Sequence, residues 1–199
     1  MFNIVSIDFD IIMGPSIEAY NSYANKPWEE KIEDAGILEY CICDTSIYQK
    51  LTNYLISLTK NLSKEKIHII RDHHHILNFL PEKETLQIFN IDHHHDIGYN
   101  EKDENELNCG NWGKYLKDQN PDNQIIWINN FNSKEPMPGK ENFLTRTTPI
   151  LSCSLENITP DELILCLSPE WVPPRYQTLF FLWLDLLNII YNTHFDFED

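Results

Sequence analysis

An α/β domain with a mainly parallel sheet, in a three-layer αβα arrangement, is the fold class the sequence predicts. Three observations lead there. Short runs rich in Ile, Val and aromatics recur along the chain: NIVSID (3–8), KIHII (66–70), TLQIFNID (85–92), NQIIWIN (123–129) and ELILCLS (162–168). Their apolar character is nearly continuous rather than alternating, as for strands buried on both faces of a parallel sheet. Helical stripes lie between or beside them, and each run stops at turn signals such as Asn-Pro, Pro-Asp and Lys-Glu.

Taken in order, the first run is a strand that begins almost at Met1, with no basic segment and apolar core of a secretory signal before it. Cys41 and Cys43 alternate along a further short strand. Ser46–Leu62 sets Ile47, Leu51, Tyr54, Leu55, Leu58 and Leu62 along one helical stripe. KIHII leads to a helical ILNFL (76–80), and a break between Pro81 and Glu84 precedes the next strand. The acidic, Asn-rich Asn100–Asn108 and the stretch Phe131–Thr148, with Pro136, Pro138 and Gly139, read as long loops, which in compact domains tend to border a site. Pro173–Tyr191 opens with two prolines, suited to a helix start, and is then strongly apolar. Neither a repeat nor a linker divides the chain, so residues 1–199 are expected to form one domain, and ligands should gather at the C-terminal ends of its strands.

The formal charge of −16 over 199 residues argues against nucleic acid or an anionic membrane as partner. It permits a cationic substrate, although an excess of carboxylates also serves solubility alone. Five cysteines (Cys41, Cys43, Cys109, Cys153, Cys166) form an odd set without a CxxC pair, and read as reduced thiols of a cytoplasmic protein. The most apolar stretch, Thr178–Tyr191, carries Asp185 and is too short to span a bilayer.

The residues that carry chemistry sit at strand ends. Ile91-Asp92-His93-His94-His95-Asp96 continues a strand, so Asp92, His94 and Asp96 alternate and can project to one side. Carboxylates and an imidazole converging there suit a divalent ion such as Mn²⁺; the alternative is a solvated His-rich loop tip. Asp72-His73-His74-His75 follows a second strand, and Asp8-Phe9-Asp10 ends the first. An isolated Asp-x-Asp is often only a turn or cap pair. Three such clusters on one rim of a parallel sheet supply four Asp and two His, the ligand set of a two-metal hydrolytic centre.

These segments resemble a known family. Asp92-His93-His94-His95-Asp96 is similar to the D-x-H-x-D motif of the arginase and agmatinase ureohydrolases, Asp72-His73 to their first ligand loop, and Asp8-Phe9-Asp10 to their D-x-D strand. The chain looks most like the small peptide arginases of ribosomal peptide natural-product clusters. Here the D-x-D strand comes first, where in arginases it follows the D-x-H-x-D motif. Ile70 and Arg71 stand where the family has glycines. The resemblance implies a compact arginase-like fold and two Mn²⁺ ions held by Asp8, Asp10, His73, Asp92, His94 and Asp96. Asp92 and Asp8 would bridge, and His74 is a rival to His73.

The resemblance also implies a function: hydrolysis of arginine side chains in a precursor peptide to ornithine, with release of urea. Leu167-Ser168-Pro169-Glu170-Trp171-Val172-Pro173 is similar to the arginase segment whose Glu receives the guanidinium. Independently, a carboxylate at a strand end can take two parallel hydrogen bonds from a guanidinium fork; otherwise Glu170 is a surface residue in a proline-defined turn. Asp96 is expected to act catalytically, as a ligand that also orients the attacking water. Asn111 and Trp112 are expected to wall the substrate pocket, Trp112 by stacking on the guanidinium, unless Trp112 instead opens a helix and packs in the core. The competing readings are a metal-dependent amide hydrolase or deacetylase, and a non-catalytic metal- or peptide-binding protein.

Overall fold

A computed structural model describes residues 1–14, 43–81, 84–98, 106–131, 133 and 143–198. Cys41, residues 100–105 of the acidic loop, and Pro136, Pro138 and Gly139 lie outside the described residues. Six strands form one all-parallel sheet: β1 (Phe2–Asp8), β2 (Ile67–Ile70), β3 (Leu86–Asp92), β4 (Gln124–Asn129), β5 (Arg146–Pro149) and β6 (Glu162–Cys166). Their order across the sheet is β2-β6-β1-β3-β4-β5. The α/β class and five of the strands match the sequence reading.

The sheet buries both faces because its strands are apolar at consecutive positions. Val5, Ile7, Ile69, Leu163 and Leu165 join one core cluster, while the alternate residues Ile4, Ile70, Ile88, Ile164 and Cys166 join a second. Helix α1 (Thr45–Leu58) adds Ile47, Leu51, Tyr54 and Leu55 to the first cluster, and helix α3 (Pro174–Tyr191) adds Phe180, Trp183 and Leu187. Helix α2 (Trp112–Gln119) gives Trp112 and Leu116 to the second. Asp44 caps α1, its Oδ1 accepting from the Ser46 and Ile47 amides. Phe9, wholly buried just past β1, meets Tyr48, Phe180 and Trp183 edge-on, which ties the end of the central strand to α1 and α3.

Two elements differ from the sequence reading. Within the stretch expected to be a loop, Arg146–Pro149 pairs with β4 as an edge strand. Arg-Thr-Thr-Pro carries no apolar run because only its backbone joins the sheet, and proline ends it. After β2 the helical segment is a 3-10 helix, His73–Phe79, rather than an α-helix.

The topology decides where a ligand can sit. From β1 the chain goes on to β2 at one edge of the sheet, whereas from β3 it passes to β4 on the other side. β1 and β3 are nevertheless neighbours, in a register that pairs Ile7 with Ile91. Their C-terminal ends, Asp8 and Asp92, therefore flank the crevice where the winding direction switches, the position at which open α/β sheets bind ligands.

Phe180→Ala should cost about 3–5 kcal/mol, because the ring is fully enclosed by Phe9, Trp183 and Phe197. Denaturant unfolding should show a lowered midpoint with the slope unchanged.

Candidate metal centre

Asp8, Asp10, His73, Asp92, His94 and Asp96 all arrive at this crevice, and each is buried. Strand β1 delivers Asp8 directly, and the 3-10 turn Phe9–Ile12 turns Asp10 back toward the same place. That turn is fastened from across the sheet: Asn130 Nδ2 donates to the carbonyls of Ile11 and Met13, both at 2.9 Å. Strand β3 supplies Asp92, whose Oδ1 accepts from the His94 amide at 2.8 Å and so bends the following chain. Asp96 holds a left-handed backbone, φ 57°, uncommon for a residue with a side chain.

The side chains form two triads of mutually close ligand atoms, Asp8–His73–Asp92 and Asp10–Asp92–His94, with Asp92 common to both. His73 Nδ1 lies 3.2 Å from Asp8 Oδ2, 3.0 Å from Asp92 Oδ2 and 2.8 Å from Asp96 Oδ2. His94 Nδ1 lies 2.8 Å from Asp10 Oδ2 and 3.9 Å from Asp92 Oδ1. Asp96 belongs to neither triad; it contacts His73, and its Oδ2 accepts from the Trp112 indole at 2.7 Å. His73 is the histidine of the three that turns into the cluster. His74 is half-buried beside His75, with ring centres 4.3 Å apart.

Electrostatics mark this as a place for cations. Four carboxylates are buried here, and among the described residues none is paired with a lysine or arginine. Burial, then the Asp92 charge, pushes Asp10 up to about 6. Burial, then the charges of Asp96 and Asp8, pushes Asp92 up to about 7. Asp8 is raised by burial and by Asp10. Burial pulls His73 down, but its contacts with Asp8, Asp92 and Asp96 outweigh it and hold the imidazole well above its ordinary value.

The residues fit divalent metal on two counts. His73 Nδ1 and Asp10 Oδ2 are buried within ion-pair range of opposite partners yet make no aligned hydrogen bond, as ligand atoms do when arranged for a third body rather than for each other. The imidazole is also oriented from behind: His73 Nε2 lies 2.7 Å from the Ser6 hydroxyl, the outer contact expected of a metal-ligating histidine.

The expected substrate residues separate. Glu170 is exposed, in the turn after β6, and its charge reaches the Cys109 thiol. That thiol is pushed up to about 12 by burial, then by the charges of Asp96, Glu170 and Asp8. Trp112 is wholly buried and opens α2 with its indole committed to Asp96. It packs in the core and braces Asp96, which bears out the helix-opening alternative and not the stacking on substrate. Asn111 is likewise buried, its Oδ1 accepting from the Asn108 amide and its Nδ2 donating to the Glu106 carbonyl; it holds its own loop together. Sequence reasoning missed Ser6, Ser168 and Trp171. The Ser168 hydroxyl donates to Asp8 Oδ2 at 2.5 Å, and the Trp171 ring lies 4.8 Å from that of His94. Ser168 and Trp171 flank Glu170 in sequence, which was the available signal.

Without metal, the raised carboxyls make stability depend on pH in a definite sense. An unfolded Asp titrates near 3.8, while Asp10 and Asp92 hold their protons to about 6 and about 7. The folded form therefore binds more protons between these limits, and stability falls as pH rises through them. The raised His73 acts in the same sense. In chelator, the unfolding midpoint should drop from pH 5 to pH 8. Asp92→Asn should flatten that profile and raise the pH 8 value, while abolishing metal uptake.

Comparison of the chain with protein-family models, with curated proteins and with solved structures finds no match in any of the three.

Proposed function

We propose that this protein is a binuclear metallohydrolase that cleaves the guanidinium of arginine side chains in a precursor peptide, leaving ornithine and releasing urea. The observation that carries the reading is the shared carboxylate: two groups of close Asp and His atoms meet at Asp92, and each could hold an ion. Asp8, His73 and Asp92 would hold one, and Asp10, Asp92 and His94 the other, with Mn²⁺ the ion this oxygen-rich set suits. A pair of divalent cations, when bound, lowers the pKa of water so that hydroxide is available near neutral pH.

The remaining roles fall to the chain itself. Asp96, with one oxygen fixed by the Trp112 indole, is the carboxylate to orient the attacking water and take its proton. Glu170, exposed and next in sequence to the Trp171 that packs on His94, is the acceptor for the guanidinium, whose two parallel N–H groups match one carboxylate. Holding the planar carbon against the nucleophile is where such a site gains most, on the order of 7–11 kcal/mol in favourable cases. The resemblance to peptide arginases, not the geometry, favours a peptide over free arginine. A compact arginase-like fold suits a sheet that is apolar on both faces. Cys43, Cys109, Cys153 and Cys166 are free thiols, which suits the cytoplasm, and among the described residues no helix is long and apolar enough to cross a membrane.

Incubation with Mn²⁺ and an arginine-containing peptide should yield urea and a peptide lighter by the lost carbodiimide unit. Asp92→Ala and His94→Ala should lose both bound metal and turnover. Glu170→Gln should keep its metal and raise KM for the peptide about tenfold or more, as expected when a charge-assisted pair is lost. Turnover of acetyl-lysine without urea would instead make the protein an amide hydrolase, and full activity in Glu170→Gln would remove that residue's role.

A further inference from the structure

We propose that Ser168 is a positioning residue that fixes Asp8 for metal binding through its hydroxyl, at the expense of a strained backbone. The inference rests on the two-metal reading above and names a residue outside its ligand set.

Strand β6 lies beside β1 with Cys166 opposite Asp8, so the chain leaving β6 passes directly over the Asp8 carboxylate. Ser168, 4% exposed, donates its hydroxyl to Asp8 Oδ2 at 2.5 Å, while the Asp10 amide reaches Asp8 Oδ1 at 3.2 Å. Both oxygens of Asp8 are thus set by neighbours, and Oδ2 is the oxygen that faces His73 Nδ1 at 3.2 Å. Serine holds φ 46° to do this. Glycine adopts that conformation freely and serine does not, so the side chain the position carries is the one that reaches Asp8. The backbone is pinned as well: the Ser168 amide donates to the Arg71 carbonyl at 3.0 Å, and the Ser168 carbonyl accepts from the Trp171 and Val172 amides, each at 3.0 Å. Arg71 stands two residues before His73. One turn therefore joins the segment bearing His73 to the carboxylate that shares its triad, and outer contacts of this kind typically govern metal affinity by 10–100-fold.

The test separates the hydroxyl from the backbone. Ser168→Gly removes the hydroxyl and relieves the strain; Ser168→Ala removes the hydroxyl and keeps the strain. Calorimetric titration of metal-free protein with Mn²⁺ should show two ions bound by the unsubstituted chain. In both variants one ion should bind about tenfold or more weakly, with the other unchanged. The alanine variant should unfold at lower denaturant than the glycine variant, yet lose the same affinity. Unaltered binding of both ions in Ser168→Gly would overturn the assignment, whether or not Ser168→Ala is impaired. If the unsubstituted chain takes up no Mn²⁺, the two-metal reading fails first and takes this one with it, a result distinct from two normal sites in the glycine variant.

Discussion

Four carboxylates held out of water at the ends of two adjacent strands are the constraint around which this protein is arranged. Asp8, Asp10, Asp92 and Asp96 are each at most 4% exposed. Their two imidazole neighbours can contribute at most two positive charges, which leaves the group anionic in any protonation state that keeps all four ionised. A buried excess of charge is costly unless a cation or a proton balances it. Protons do so partially in the metal-free protein, as the raised carboxyls show. A divalent ion, which these Asp and His side chains could hold, would balance it more completely.

Much of the surrounding structure serves to keep those oxygens from turning toward solvent or toward one another. Indole N–H groups approach from two directions: Trp112 takes Asp96, and Trp127 donates to the Asp92 carbonyl at 3.0 Å. Asn130 clamps the turn that carries Asp10, and the Ser133 hydroxyl donates to the His93 carbonyl at 2.7 Å. Left-handed backbone at Asp96 and Ser168 lies in the same region, where local strain is tolerated because neighbours on every side hold it. The framework thus holds the buried carboxylates on every side, while Glu170 is exposed.

Most of the fold was legible because parallel strands write themselves as uninterrupted apolar runs. NIVSID and TLQIFNID ended at Asp8 and Asp92, where the observed strands end. β5 escaped because an edge strand paired through its backbone alone needs no apolar side chains, and Arg146–Pro149 has none inward. The buried Asp and His cluster was legible for a related reason: Asp and His at the end of an otherwise greasy run have few structural uses. What could not be read was the partnering of side chains across long sequence distances. Trp112 looks the same in a sequence whether it faces a substrate or braces a carboxylate, and Ser168 looks like any serine before a proline. Three consecutive histidines also concealed which one turns inward, a matter settled by the 3-10 geometry that begins at His73.

The seat of β1 in the sheet has a bearing on how the protein is born. β1 and the 3-10 turn after it carry two of the acidic groups, but β1 lies between β3 and β6, and the contact of Asp8 with Ser168 spans 160 residues. Until β6 has formed, β1 lacks one flank. Topologies dominated by such distant pairings assemble slowly. Closure of the sheet around β1 therefore waits on a segment far away in sequence, and the buried acidic cluster is completed only when β6 docks.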